Sequence, residues 1–460
     1  VTMTERQNSI DNIIGLVDRN SPFGEPLRGI YKRGGAYRSL KDRLPVILTK
    51  IIDGLSREKE EIVEKYGKSS AEDLKQAIGR ISKLKNELVT NKPFLPLVYS
   101  SHQNETNSDI VTWNDYLVER SQVEGRVPAW YNTFELYSEC YLYRRIMEAF
   151  YLTDTLYSYD PFAKLKKESF YESLTSIIAV ASHTLDLVNR AQDISSTERK
   201  REFFKLLRVG LWGNRCDLSL SAGVANGQVG DPLELLNSLE EDIVVDDTES
   251  VWDILAKAGL SNKPVTVDII LDNSGYEFFT DLTLAVFLIA HNFAQKIRFY
   301  VKSMPWFISD VTNEDFNWVI DSMVDNPNPE LSEFGKLLKN HLKTGIITIE
   351  EHQFWTSPFT FTEMGERDPS LYAKLSEASL LVIKGDLNYR KLVCDVNWEY
   401  TTSISHGIQE FFPTNFVALR SIKSDVITGF NPEQGQTLNK IDPKWMFTGQ
   451  YVIHYSSKYI

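Results

Sequence analysis

The sequence predicts an α/β protein: a mostly parallel sheet preceded by a helical N-terminal region. Three observations carry this. Apolar residues recur at helical spacing from about residue 39 to 211, strand and helix patterns alternate through the second half of the chain, and three of the short apolar runs there end in acid-containing polar turns.

In chain order, residues 1–38, with Arg28, Lys32, Arg33 and Gly34-Gly35, read as a flexible or loosely docked arm. A helical region, 39–211, follows. Leu44, Ile47, Leu48, Ile51, Ile52 and Leu55 mark its first helix behind a Ser39 cap, with Pro45 tolerable in the first turn. Further helices are expected from Ala71 to Leu88, Phe134 to Phe150, Phe170 to Val188 and Thr197 to Leu211, and Gly223 to Gly230 reads as an exposed loop. The α/β region, 212–460, is predicted to hold a strand at Ile243–Val245, a helix at Thr248–Ala258, a strand ending at Leu271 and a helix through Leu288. Strands are also expected at Ile297–Val301, Leu380–Ile383 and Tyr451–Ile453. No internal repeat or low-complexity segment interrupts this order.

Composition narrows the function classes. The chain has 460 residues, 42% of them hydrophobic, which is enough for a substantial core in one large domain or two. Lys and Arg total 50 against 63 Asp and Glu, a formal charge of −13, so neither nucleic acid nor an acidic membrane is an expected partner. Cys140, Cys216 and Cys394 are too few and scattered for a disulfide framework and show no zinc-type spacing. With no apolar signal core and no membrane-length apolar run, the expectation is a soluble, intracellular protein, cytoplasmic or nuclear.

The chemistry is expected at the strand ends. Val265–Leu271 stops at Asp272-Asn273-Ser274-Gly275, Ile297–Val301 is followed by Trp306-Phe307-Ile308-Ser309-Asp310, and Leu380–Ile383 stops at Lys384-Gly385-Asp386-Leu387-Asn388-Tyr389-Arg390. Parallel strands present their carboxyl ends on one edge, so Asp272, Asn273, Asp310 and Asp386 can converge there. Asp-Asn-Ser-Gly is also good turn and N-cap chemistry, and that reading stays open beside the functional one. Two aspartates and an asparagine are hard oxygen ligands that suit Mg²⁺ or Mn²⁺ better than zinc. The seven histidines are dispersed and lie outside these motifs. Without Gly-x-Ser-x-Gly, Ser274 makes a weak nucleophile candidate. No P-loop and no Gly-x-Gly are present, which disfavours a nucleoside triphosphatase and a dinucleotide site. Arg390, Lys391 and Lys423 are cations that could balance phosphate charge.

The three strand-end motifs, together with Leu211-Trp212-Gly213-Asn214-Arg215-Cys216-Asp217-Leu218-Ser219, closely resemble those of the metal-dependent damage-control phosphatases, sugar-phosphate subfamily. The resemblance runs from about Tyr37 to the C-terminus. It implies a helical region packed on an α/β/α sandwich, doubly wound, with one divalent metal held by Asp272, Asn273 and Asp310. It places Asp386, Leu387, Asn388, Tyr389 and Arg390 around the substrate, beside Asp272 and Asn273, and Lys423 on its phosphate. The implied substrates are sugar phosphates such as fructose 1-phosphate and fructose 6-phosphate, and the implied activator is Mn²⁺, with Co²⁺, Ni²⁺ or Mg²⁺ as substitutes.

In that scheme Asp272, Asn273, Asp310 and Asp386 form the catalytic set, with Asp386 as a base or an acceptor for a sugar hydroxyl. Two positions depart from the family pattern. Arg420-Ser421-Ile422-Lys423 stands where Arg-Thr-x-Lys is usual, and Val393-Cys394-Asp395 stands where Thr-Gly-Asp is common. Loss of that glycine implies a changed loop if a positive φ was required. The resemblance also brings an alternative, an S-adenosylmethionine-dependent protein carboxyl methyltransferase in which Glu277 and Asp310 touch the donor and a protein is the substrate. A third reading is a non-catalytic scaffold that works through its helical half.

Overall fold

In a computed structural model, residues 15–100, 102, 109–211, 213, 240–261 and 263–457 are described. The loop expected at 223–230, Cys216 and most of the motif from Trp212 to Ser219 lie outside these residues. Helices fill the first half: α1 Leu44–Arg57, α2 Lys59–Tyr66, α3 Ser70–Val89, α4 Ile110–Glu124, α5 Glu135–Tyr151, α6 Ala163–Glu172, α7 Leu174–Asn189 and α8 Ser196–Leu211. The second half alternates: β1 Ile243–Asp246, α9 Thr248–Gly259, β2 Thr266–Ile270, α10 Tyr276–Ala290, β3 Lys296–Val301, α11 Asn313–Val324, α12 Pro329–Thr344 and β4 Ile347–Glu351. It continues with α13 Pro369–Leu375, β5 Leu380–Lys384, α14 Gly385–Leu392, β6 Phe416–Ser421, α15 Gln434–Ile441 and β7 Val452–Ser457.

Two local expectations are corrected. Ser39 does not cap a helix, because the chain is already helical from Gly35 and winds as a π-helix over Ser39–Arg43. The wide turn sits immediately before Pro45, which has no N–H to give to the turn that precedes it. The Ser39 hydroxyl accepts from Arg43 Nη2 at 2.8 Å instead. The helix expected from Phe170 to Val188 is two helices, α6 and α7, which meet at Ser173.

One seven-stranded sheet runs in the order β1-β7-β6-β5-β2-β3-β4. The five strands from β6 to β4 are mutually parallel. β7 adds antiparallel to β6, and β1 pairs parallel with β7, so the last two strands run against the other five. Burial on both faces explains why β5 is apolar without interruption. Its Leu381 and Ile383 join a core with helices α1, α3, α4 and α5, while Leu380 and Val382 join a second core with helices α7 to α12. That is an α/β/α sandwich. Asp268, the polar residue inside β2, is fully buried and takes two bonds from the Arg298 guanidinium, at 2.6 and 2.9 Å. Residues 15–38 dock on the body, with Leu27, Tyr31 and Ala36 buried and backbone pairs reaching Asp395 and Asn397.

The order of the parallel strands fixes where a ligand can sit. From β2 the chain steps outward through β3 to β4 and then returns to β5 on the other flank of β2. The connections leaving β2 and β5 diverge, which opens a crevice at their carboxyl ends.

The second core is tested at Phe316, which is fully buried with ring centroids 4.7 Å from Phe278 and 5.4 Å from Phe299. Phe316→Ala is expected to cost about 3–5 kcal/mol, read as a lower urea midpoint with unchanged slope.

Candidate active site

The crevice between β2 and β5 is a cavity of about 800 Å³. Asp272, Asn273, Glu277, Asp310, Asp386, Leu387, Arg390 and Lys423 all line it. The residues that sequence reasoning placed at three separate strand ends are therefore in one place. Asn388 and Tyr389 are not among its lining. The Asn388 amide donates to Lys384 O at 2.8 Å and Leu271 O at 3.2 Å, tying β5 to β2, and the Tyr389 hydroxyl meets Thr428 at 2.8 Å. Lys391 is fully buried and donates to Ser357 O at 2.7 Å, away from the cavity.

After β2 the tetrapeptide does not act as a side-chain cap, since the N-cap position of α10 is Gly275 and no side-chain cap bond is made to the backbone there. Instead Asn273 forms an antiparallel bridge with Asp310, the Ser274 N–H donates to Ser309 O at 2.7 Å and the Val311 N–H donates to Asp272 O at 2.9 Å. These bonds lace the ends of β2 and the β3 loop together, and Ser274 serves through its backbone. Phe307 and Ile308 hold φ of 45° and 73° just before Ser309. Two consecutive left-handed residues with side chains, one β-branched, store strain of about 1–3 kcal/mol each. Phe307 is held by stacking on Tyr143 of α5 at 4.4 Å.

Carboxylates crowd here. The Asn273 amide nitrogen donates to both Asp272 Oδ2 and Glu277 Oε2 at 2.8 Å, and Ser309 Oγ donates to Asn273 Oδ1 at 2.5 Å. Burial raises Asp272 well above the usual carboxylate range, and the Asp310 and Glu277 charges raise it further. Asp310 is pushed up to about 6 by burial, against the pull of Lys302 at 3.3 Å. That contact is made to Asp310 Oδ2, a buried oxygen that makes no hydrogen bond of good geometry. Lys302 also donates to Leu271 O at 2.9 Å, and buried Lys384 reaches Asp281 at 2.8 Å and Glu277 at 3.6 Å. Gly385 has φ +86°, and a Cβ there would lie 2.0 Å from Asp272 Oδ2. The backbone is bare where the carboxylate rests.

These features fit a hard cation: two raised carboxylates and an amide within one crevice, with one carboxylate oxygen held only by a 3.3 Å ion-pair contact. Among the described residues no group of three His, Cys, Asp or Glu side chains is set out as a metal site. A cation at this place would have to draw on Asn273 as well as on Asp272 and Asp310.

Asp386 is different. Burial would raise it, but the Arg420 and Arg390 charges outweigh burial and hold it below its ordinary value. Arg420 Nε donates to its Oδ1 at 2.7 Å, and the Lys423 N–H donates to the same oxygen at 3.2 Å. Arg420 is itself fully buried, stacked 4.2 Å over Tyr389 and bonded to Val426 O and Ser424. It positions Asp386 and is not a ligand group. Arg390 is braced by Asp395 at 2.7 Å and Glu139 at 2.6 Å.

Residues 39–438 match the Damage-control phosphatase ARMT1-like domain. The chain is 42% identical over 423 residues to the Damage-control phosphatase ARMT1 of Bos taurus, covering 90% of this chain and 94% of that protein. It is 40% identical over 425 residues to that of Homo sapiens, covering 91% and 95%, and 39% identical over 429 residues to that of Danio rerio, covering 92% and 94%. The chain belongs to the ARMT1-like damage-control phosphatase family. The span shared with the ARMT1-like domain starts at Ser39, so it includes helical residues that the strand-end motifs did not point to. Ser39, Asp42, Arg43, Lys50, Glu135 and Glu139 line the same cavity. The available signal was the pair Glu135 and Glu139, four residues apart on a helix whose other residues are largely apolar or aromatic.

The Val393-Cys394-Asp395 departure also finds its account. Cys394 and Asp395 adopt φ of 66° and 52°, so the turn here is left-handed with side chains present. Among the described residues no helix is long and apolar enough to cross a membrane.

Gly385→Ala is expected to displace the Asp272 carboxylate. Phosphate release should fall by about two orders of magnitude, while thermal unfolding shows the protein still folded and about 1–2 kcal/mol less stable.

Proposed function

We propose that this ARMT1-like protein is a metal-dependent phosphomonoesterase that hydrolyses sugar phosphates such as fructose 1-phosphate and fructose 6-phosphate. The observation that carries the reading is the convergence of Asp272, Asn273 and Asp310 with Asp386 and Lys423 in one cavity at the switch point of the sheet. Asp272, Asn273 and Asp310 would hold the ion, with Mn²⁺ the best match and Co²⁺, Ni²⁺ or Mg²⁺ as substitutes. A bound divalent ion supplies charge to a phosphoryl oxygen and lowers the pKa of an attacking water.

The remaining roles belong to the chain. Lys423 is exposed at the rim and carries the charge that binds the phosphate group. Arg420 and the Lys423 N–H fix Asp386 in its ionised form, which suits it to accept a proton or a sugar hydroxyl and unsuits it to protonate the leaving oxygen. Leu387 and Arg390 shape the wall next to it, and Asn388 and Tyr389 act from behind by holding α14 against β2 and the 420s. The binding partner is thus a small phosphorylated sugar.

Purified protein treated with chelator and then resupplied with Mn²⁺ should release phosphate from fructose 1-phosphate, and Asp272→Ala should lose about 100-fold or more of that rate. Undiminished turnover by Asp272→Ala sinks the ligand assignment. Methylation of a protein carboxylate from S-adenosylmethionine, with no phosphate released from any ester in a panel, would replace the hydrolase reading by the methyl-transfer one.

A further inference from the structure

One carboxyl in the cavity wall has no role in the scheme above and no strong partner. Glu135 is the first residue of α5, lines the cavity beside Arg390 and Leu387, and is 5% exposed. Its neighbours are already committed. Arg390 gives Nε and Nη2 to Asp395 at 2.7 and 3.1 Å and Nη1 to Glu139 at 2.6 Å. The other oxygen of Glu139 takes the Arg43 guanidinium. What reaches Glu135 is Arg390 Nη2 at 3.5 Å, beyond the 2.7–2.9 Å of a good charge-assisted bond. Its backbone is fixed, with the N–H donating to Leu27 O at 2.8 Å, and the Leu136 N–H goes to Asp395 at 3.1 Å.

A carboxyl that faces a cavity and receives only this long contact from the protein has hydrogen-bonding capacity left for a ligand. Burial pushes Glu135 up to about 8 despite Arg390, so near neutral pH it keeps its proton. A neutral carboxyl both donates and accepts, and so matches sugar hydroxyl and carbonyl oxygens.

We propose that Glu135 is a specificity-determining residue whose carboxyl binds a hydroxyl or carbonyl oxygen of the substrate's sugar moiety. The helical region then joins Asp386 in reading the organic part of the ester, while the other strand ends hold its phosphate. The substrate class that follows is a polyhydroxylated phosphate monoester, in preference to an aryl or alkyl phosphate. This rests on the phosphomonoesterase reading for the placement of the phosphate, and its test is therefore a binding measurement.

The probes are the phosphonate analogue of fructose 1-phosphate, whose C–P bond is not hydrolysed, and methylphosphonate, which lacks the sugar, both titrated calorimetrically with Mn²⁺ present. Glu135→Leu is expected to weaken the sugar phosphonate about tenfold or more, with methylphosphonate changed less than about twofold. Glu135→Gln, which retains a donor and an acceptor, is expected to stay within about threefold of the wild type for both. If the leucine variant does not fold, Glu135→Asp, which retracts the carboxyl by one methylene, should show the same selective loss. Equal weakening of both ligands, no weakening of either, or a wild-type protein that prefers methylphosphonate overturns the proposal. Phosphate release by the wild type is scored separately: the selective loss without any hydrolysis leaves the Glu135 contact standing and refutes the hydrolase reading.

Discussion

The structure turns on the mutual repulsion of carboxylates buried at the end of β2. Asp272, Glu277 and Asp310 are each less than a tenth exposed, and they are drawn into one crevice by backbone bonds that have nothing to do with their charge. Left alone, such groups would protonate or push the strand ends apart. The chain meets this in three ways. The Asn273 amide places its N–H groups between Asp272 and Glu277, buried Lys302 and Lys384 stand behind the cluster, and Gly385 removes the Cβ that would collide with the Asp272 carboxylate. The arrangement is a frame for positive charge, and the surrounding fold is disposed to keep that frame closed.

The frame needs the helical half as well as the sheet. Phe307 and Ile308 are strained, and a strained pair persists only where its surroundings over-determine it. Stacking of Phe307 on Tyr143 of α5 supplies part of that constraint. The same helix supplies Glu139, which orients Arg390 at the opposite wall. One helix therefore touches the β3 loop and the first turns after β5, so a shift of α5 would move both walls together. Cavity geometry and packing of the helical region are one problem, which is why the first core spans α1 to α5 and the strands β2, β3, β5 and β6 without a break.

Much of this was written in the sequence, in a particular form. The apolar runs of β2, β3 and β5 and the acidic turns after them are local features, and the rule that parallel strands share an edge brings them together without coordinates. The order of strands was not legible, because the return from β4 to β5 depends on which flank of β2 is vacant. Nor was the reversal of β1 and β7, two short strands whose direction is set by pairing with β6. Helix periodicity located α3, α5 and α8 to within about a residue at each end, while α1 starts five residues after its expected cap at Ser39. Periodicity is blind to what Glu135 and Glu139 do, since a buried acid on a helix is understood only when its partner, 251 positions away in the chain for Glu139 and Arg390, is seen. Where residues 15–38 dock was equally silent, since backbone pairs to Asp395 and Asn397 carry part of it.

The two departures from the family pattern show how such a frame tolerates change. Ser421 keeps the strand β6 into which Arg420 is built, and Arg420 makes its bonds to Asp386, Val426 and Ser424 without help from the neighbouring side chain. Cys394 is the harsher replacement, because a residue with a Cβ at φ 66° costs on the order of 1 kcal/mol that glycine would not. That cost falls on stability and not on the cavity. The turn is left-handed, Asp395 meets Arg390 through two oxygens, and the Cys394 thiol is accommodated 3.6 Å from Thr362 Oγ1. Arg390 is held by carboxylates from α5 and from the 395 turn together, so a strained turn can be paid for by the packing of the whole fold while the cation it aims stays in place.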